Sequence, residues 1–136
     1  MQNGGDVRTA KAAKYIFLLS GLFGLIVLSP QYFLEQRVGA DYPPPVTHPE
    51  FYYGFVGIAL AFQVLFIIIS TDPVRFRPAM IAGILEKLAF GVPVLVLYFS
   101  GRLNSVTLGF GIFDLLLGAL FLWAYVSTSP QNNPSA

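Results

Sequence analysis

Four polar side chains interrupt otherwise apolar runs of this chain: Gln63, Glu86, Lys87 and Asp114. Ionisable groups at membrane depth are costly. They either mark a site for a proton, ion or ligand, or they pair to hold helices together. Two carboxylates and one ammonium have the chemistry for both roles. Asp114 and Glu86 can titrate in a proton-linked carrier of a small solute, with Lys87 as the internal counter-charge. Alternatively, the same groups neutralise one another and set packing. A second group, His48, Glu50, Tyr52 and Tyr53, stands where an apolar run begins. An imidazole beside phenols suits a lipid headgroup or a quinone, and the alternative is helix-start chemistry within a belt of interfacial aromatics. A metal site needs more ligands than this, so no metal is expected.

The elements that position the first group must cross a bilayer. Ala79–Phe99 contains Glu86 and Lys87 side by side. If that pair sat at the surface, only Leu88–Phe99 would remain, short of the roughly 17–25 residues a span requires. Both groups therefore belong at membrane depth. A central Lys costs about 2.5 to 3.5 kcal/mol on the insertion scale, while each large apolar residue contributes only about −0.3 to −0.6. A helix so balanced needs neighbours that carry polar groups.

Composition agrees with membrane residence. The chain is 55% hydrophobic and 11% charged, against about 25% charged residues in soluble domains. At 136 residues it is one domain by length. A net charge of +1 without a basic patch points away from nucleic acid. With no cysteine, and His48 as its one histidine, the chain has no thiolate metal site, no iron–sulfur cluster and no bis-histidine haem site. No nucleophile–base pair, phosphate loop or zinc spacing appears, so neither an enzyme nor a cofactor is the expectation.

The fold expected is all-α, an integral membrane bundle of four transmembrane helices at about 15–34, 50–70, 78–99 and 106–126, within a domain at 14–127. Residues 1–13 and 128–136 are expected as poorly ordered tails. A signal peptide shares the basic-then-apolar start, with Val38-Gly39-Ala40 as a small-residue site, but Pro30, Glu35 and Arg37 intervene and favour an uncleaved first helix. Pro30 should end or kink that helix near Ile26. Glu35–Pro49 reads as an extended outer loop around Pro43-Pro44-Pro45. Thr47 with Glu50 fits a capping box for the second helix, and Asp72-Pro73 a cap for the third. Pro93 should kink the third helix and free a carbonyl near Ala89. Arg8, Lys11, Lys14, Arg75 and Arg77 lie on one side, Arg37 and Arg102 on the other, which predicts both termini in the cytoplasm.

Helical rise places the polar groups at comparable depths. At about 1.5 Å per residue, Gln63, Glu86 and Lys87 share a level, and Asp114 lies within about 10 Å of it. Gly111, Asp114, Gly118 and Tyr125 form one stripe of the last helix, and small residues there predict a helix neighbour. Lys87 is expected to engage Asp114. Glu86, directed about 100° away from Lys87, is expected to meet Gln63 or a subunit partner.

The layout resembles small bacterial four-helix inner-membrane proteins of the broad DoxX-like type. The resemblance rests on the polar N-terminus, the long first outer loop, the acidic last helix, and the stretches HPEFYYGF, DPVRFRPAM and FDLLLGALF. It covers the four spans and carries over no catalytic or binding residue. It implies a multi-pass protein of the bacterial cytoplasmic membrane. The small multidrug resistance transporters also have four helices, but their essential acid lies in the first, and Tyr15–Leu34 has none. The expected role is a structural or accessory membrane component whose partners are the lipid bilayer and either a second copy, as a homodimer, or a larger membrane complex.

Overall fold

The computed structural model describes residues 4–128, and these are built of helices: α1 (Gly4–Leu28), α2 (Glu35–Asp41), α3 (Pro49–Thr71), α4 (Arg77–Phe99) and α5 (Ser105–Ser127), with a 3-10 turn at Ser29–Phe33 after α1. Four segments are long and apolar enough to cross a membrane: Gly4–Phe33, Pro49–Thr71, Arg77–Phe99 and Ser105–Ser127. Their outward faces carry Leu19, Ile58, Leu85, Val96, Leu116 and Val126, all well exposed. Such an apolar exterior suits lipid rather than water.

The helices close a ring in which sequence neighbours run antiparallel. Phe17 meets Phe66, Gly24 faces Gln63, and the Tyr52 hydroxyl donates to Gln31 O, so α1 and α3 run in opposite directions. Along α4 and α5 the pairs are Arg77 with Tyr125, Lys87 with Asp114, and Val94 with Gly111. Phe17 with Phe121 and Phe23 with Phe113 join α1 to α5. Phe55 with Phe90 joins α3 to α4.

The core lies toward the end that carries the α3–α4 connection. Phe17, Phe66 and Phe121 are fully buried there, with Phe17 stacked on Phe121 at 4.2 Å and Phe66 edge-on to Phe121 at 4.9 Å. Gly83 makes room for them, since a Cβ at that position would come within 2.9 Å of Phe66 Cε1. Ala13, Ile69, Met80 and Ala124 complete the cluster.

Several boundaries differ from expectation. Residues 4–13, expected in a loose tail, form the first turns of α1. Ala10, Lys11, Ala12 and Ala13 are strong helix formers, Asp6 sits favourably in the first turn, and Ala13 is anchored in the core. Thr128, expected in the other tail, is buried and its hydroxyl donates to Ala124 O at 2.7 Å. The remaining tail positions, 1–3 and 129–136, lie outside the described residues. Pro30 ends α1 as an α-helix at Leu28, and the chain tightens into a 3-10 turn that accepts proline in its first positions.

The Glu35–Pro49 connection is half helical. Glu35–Asp41 forms α2, which contains the Val38-Gly39-Ala40 segment, with Arg37 and Asp41 one turn apart at 3.5 Å. Gly39 lets the following chain fold back, because a Cβ would stand 3.2 Å from Pro45 Cα. At α3 the N-cap is His48, not Thr47. Pro49 takes the first helical position, where its missing N–H leaves nothing unpaired. Glu50 therefore falls one place too early for a capping box. Asp72 Oδ1 accepts from Arg75 N at 3.1 Å and so caps the turn before α4 rather than α4 itself. Pro93 lies within α4, which continues past it to Phe99. Asn104 caps α5, its Oδ1 accepting from Thr107 N at 2.9 Å.

Candidate functional site

α4 turns one face inward: Met80, Gly83, Lys87, Gly91 and Val94 are its buried residues, spaced three or four apart. The face of α5 opposite has Gly111, Gly118, Phe121 and Ala124 buried. Three glycines bring these backbones close. A Cβ on Gly91 would come within 2.5 Å of Leu115 Cγ, one on Gly111 within 2.5 Å of Val94 Cγ1, and one on Gly118 within 3.2 Å of Lys87 Cβ.

Lys87 emerges at this contact, about 15 Å along α4 from Arg77 and so near the middle of a helix long enough to cross a membrane. Its Nζ stands 3.2 Å from Asp114 Oδ1 and 3.1 Å from Glu86 Oε2, and 5.4 Å from the centre of the Phe66 ring. The side chains of Lys87, Glu86 and Asp114 are 6%, 15% and 18% exposed. The two carboxylates are not equivalent. Lys87 donates a hydrogen bond to Asp114. The contact with Glu86 is close but poorly aligned, and Glu86 Oε2 is buried without a hydrogen-bond donor. With all three groups ionised the triad carries one surplus negative charge, which a proton or another cation can neutralise.

The neighbouring pair Glu86–Lys87 thus meets despite its 100° divergence, because the long lysine side chain reaches back across the turn. Gln63 does not join the triad. Its Nε2 donates to Ala59 O at 2.9 Å, and its amide fills the notch left by Gly24. Gly21 opens the same α1–α3 seam, where a Cβ would lie 2.8 Å from Gln63 O. The cluster expected from four residues is a triad on α4 and α5 plus a separate amide against α1.

The second group also divides. His48 Nδ1 and Glu50 Oε1 pair at 3.2 Å on the surface. Tyr52 and Tyr53 turn the other way, toward the end of α1. The Tyr52 hydroxyl donates to Gln31 O and that of Tyr53 to Glu35 Oε2, each at 2.7 Å. Tyr32 stacks on Tyr53 at 5.9 Å, and its hydroxyl lies over Gly57. These phenols clamp α2 and the 3-10 turn onto α3. Glu35 is a partner that its position in an apparent loop concealed. A signal was present in the acidic residue opening a short helix-forming run.

Arg77 is a further residue whose role emerges from contact. Its Nε donates to Tyr125 O at 2.9 Å, and its guanidinium lies 3.8 Å from the Tyr125 ring centre. It therefore satisfies a carbonyl in the last turn of α5, the negative end of that helix. Among the described residues no group of three or more His, Cys, Asp or Glu side chains is placed to hold a metal ion.

Comparison with protein-family models, with curated proteins and with solved structures finds no match to this chain.

Proposed function

We propose that this chain is a structural or accessory component of the bacterial cytoplasmic membrane, with both termini in the cytoplasm. The observation that carries the reading is the clamping of Lys87 between Glu86 and Asp114 at a glycine-lined contact of α4 with α5. An ammonium held by two carboxylates and packed over Phe66 resembles a fixed joint more than an open pathway. Such a component acts by presenting a stable helix surface to a second copy or to a larger membrane complex.

The test is purification of the full chain in mild detergent followed by native mass spectrometry. A retained partner chain or a stable homodimer supports the reading. A monomer that retains no other chain, and whose absence alters no membrane complex, counts against it. The orientation is tested separately with single cysteines, which the cysteine-free sequence makes unambiguous. A cysteine at Arg75 should react from the cytoplasm and one at Arg102 from outside.

A second reading, proton-linked carriage of a small solute, draws support from the surplus carboxylate. In proteoliposomes it requires a solute-dependent proton flux that E86Q abolishes. Quinone or headgroup binding at His48 draws less, since both tyrosine hydroxyls are already engaged by Gln31 and Glu35.

A further inference from the structure

The α3–α4 seam opens outward into a groove of about 330 Å³, lined by Phe55, Ile58 and Ala59 of α3 and by Glu86, Ala89 and Phe90 of α4. Five of these six residues are apolar, and the sixth is one of the two carboxylates that share the single ammonium of Lys87. We propose that this groove binds a hydrophobic organic cation, its charged centre against Glu86 and its apolar body against Phe55 and Phe90.

Three independent features converge on that ligand class. The first is charge. Lys87 is hydrogen-bonded to Asp114 and shared with Glu86, whose Oε2 is buried 3.1 Å from the ammonium while the residue lines the groove, so one ammonium serves two carboxylates there. No second cation faces Glu86 from α3, because the groove residues there are Phe55, Ile58 and Ala59. The second is aromatic surface. The Phe55 and Phe90 rings lie 6.1 Å apart at 35°, spanning the seam beside the carboxylate, and ring faces attract cations most strongly when water is excluded. The third is size. About 330 Å³ falls at the small end of ligand sites, roughly 300–1,000 Å³, and is too little for a helix. An acyl chain would fill the groove but leave the charge unanswered. A proton would answer the charge but leave the groove unfilled.

The companion groove between α1 and α5, about 350 Å³ and lined by residues such as Leu19, Phe23, Phe113 and Leu117, lacks any ionisable group except the Tyr15 phenol. It serves as an internal comparison, being similar in volume but without the carboxylate.

The experiment is isothermal titration of the full chain in dodecyl maltoside with tetraphenylphosphonium, and with neutral triphenylphosphine oxide as the uncharged comparison. Saturable binding of tetraphenylphosphonium is expected, with a weakening of about tenfold or more in Glu86→Gln, and no saturable binding of the neutral compound. Leu116→Ala, on the outward face of α5 and lining neither groove, should bind as the unaltered chain does. If Glu86→Gln loses its helical circular dichroism, Ala89→Leu decides the matter. It fills the groove from an exposed position, keeps the carboxylate, and should abolish binding. Equal binding of the neutral compound, unaltered affinity in Glu86→Gln or in Ala89→Leu, or no saturable binding at all would overturn the proposal.

Discussion

Lys87 Nζ and Asp114 Oδ1 stand 3.2 Å apart, and this contact joins α4 to α5 near the middle of both helices. Removing one member of a buried ion pair generally costs about 3–5 kcal/mol, because the other is left uncompensated. Here Glu86 remains beside Lys87, so the loss should be smaller. Asp114→Asn keeps an acceptor and should cost about 1–2 kcal/mol, and Asp114→Leu, which removes it, about 3 kcal/mol. Unfolding by sodium dodecyl sulfate in mixed micelles, followed by circular dichroism, measures both. Two variants as stable as the unaltered chain would show that the contact does not hold the helices together.

The glycines beside that contact make a sharper comparison. Gly111 and Gly109 are two residues apart on α5. A Cβ on Gly111 would lie 2.5 Å from Val94 Cγ1 and 2.8 Å from Val94 Cβ, while one on Gly109 meets nothing within 4 Å. Gly111→Ala must push α4 away and should destabilise by about 1–3 kcal/mol. Gly109→Ala only removes the flexibility of a helical glycine and should stabilise by about 0.5–1 kcal/mol. The same detergent titration should move in opposite directions for the two. Movement in the same direction would mean that helix propensity, and not close approach, governs this stripe.

The α4–α5 half of the molecule is legible in the sequence because two regularities suffice for it. Helical periodicity puts Gly111, Asp114 and Gly118 on one stripe, and helical rise puts Asp114 near the level of Lys87. Gln63 shows where such reasoning stops. Its period places it on the inward face of α3, and it is buried, but a period does not say which neighbour an inward residue meets. That choice falls to the notch at Gly21 and Gly24, which draws the amide to α1. The helix α2 is hidden for another reason. Seven residues are too few to display a period, and the prolines that follow dominate the reading of the segment. Glu35 and Tyr53 become neighbours only after the 3-10 turn redirects the chain, so their contact has no local signature.

Arg77 and Tyr125 provide a test of the opposite end of the α4–α5 pair. The guanidinium both donates through Nε to Tyr125 O and lies over the Tyr125 ring. Lysine can supply the charge but neither the Nε donor nor the planar face. Arg77→Lys should therefore lower stability by about 1 kcal/mol, even though the cation and its contribution to orientation are kept. Thermal unfolding in detergent measures the loss, and single-cysteine labelling should show an unaltered topology. A stability equal to that of the unaltered chain would reduce Arg77 to an interfacial charge.

The Tyr53–Glu35 bond predicts a local effect rather than a global one. The hydroxyl donates to Glu35 Oε2 at 2.7 Å and ties the first turn of α2 to α3. Tyr53→Phe keeps the ring that stacks on Tyr32 at 5.9 Å and removes only the donor. The bond is partly exposed, so its loss should be small and confined to its surroundings. It should appear as faster amide hydrogen exchange across Glu35–Asp41 while α4 and α5 keep their protection, because α2 touches neither the aromatic core nor the Lys87 triad. Glu35→Gln, which retains an acceptor without the charge, should produce a smaller change in the same segment. Exchange that accelerates evenly along all the helices would show that the clamp supports the whole bundle, and exchange that stays the same everywhere would show that α2 is held by the Gly39–Pro45 packing alone.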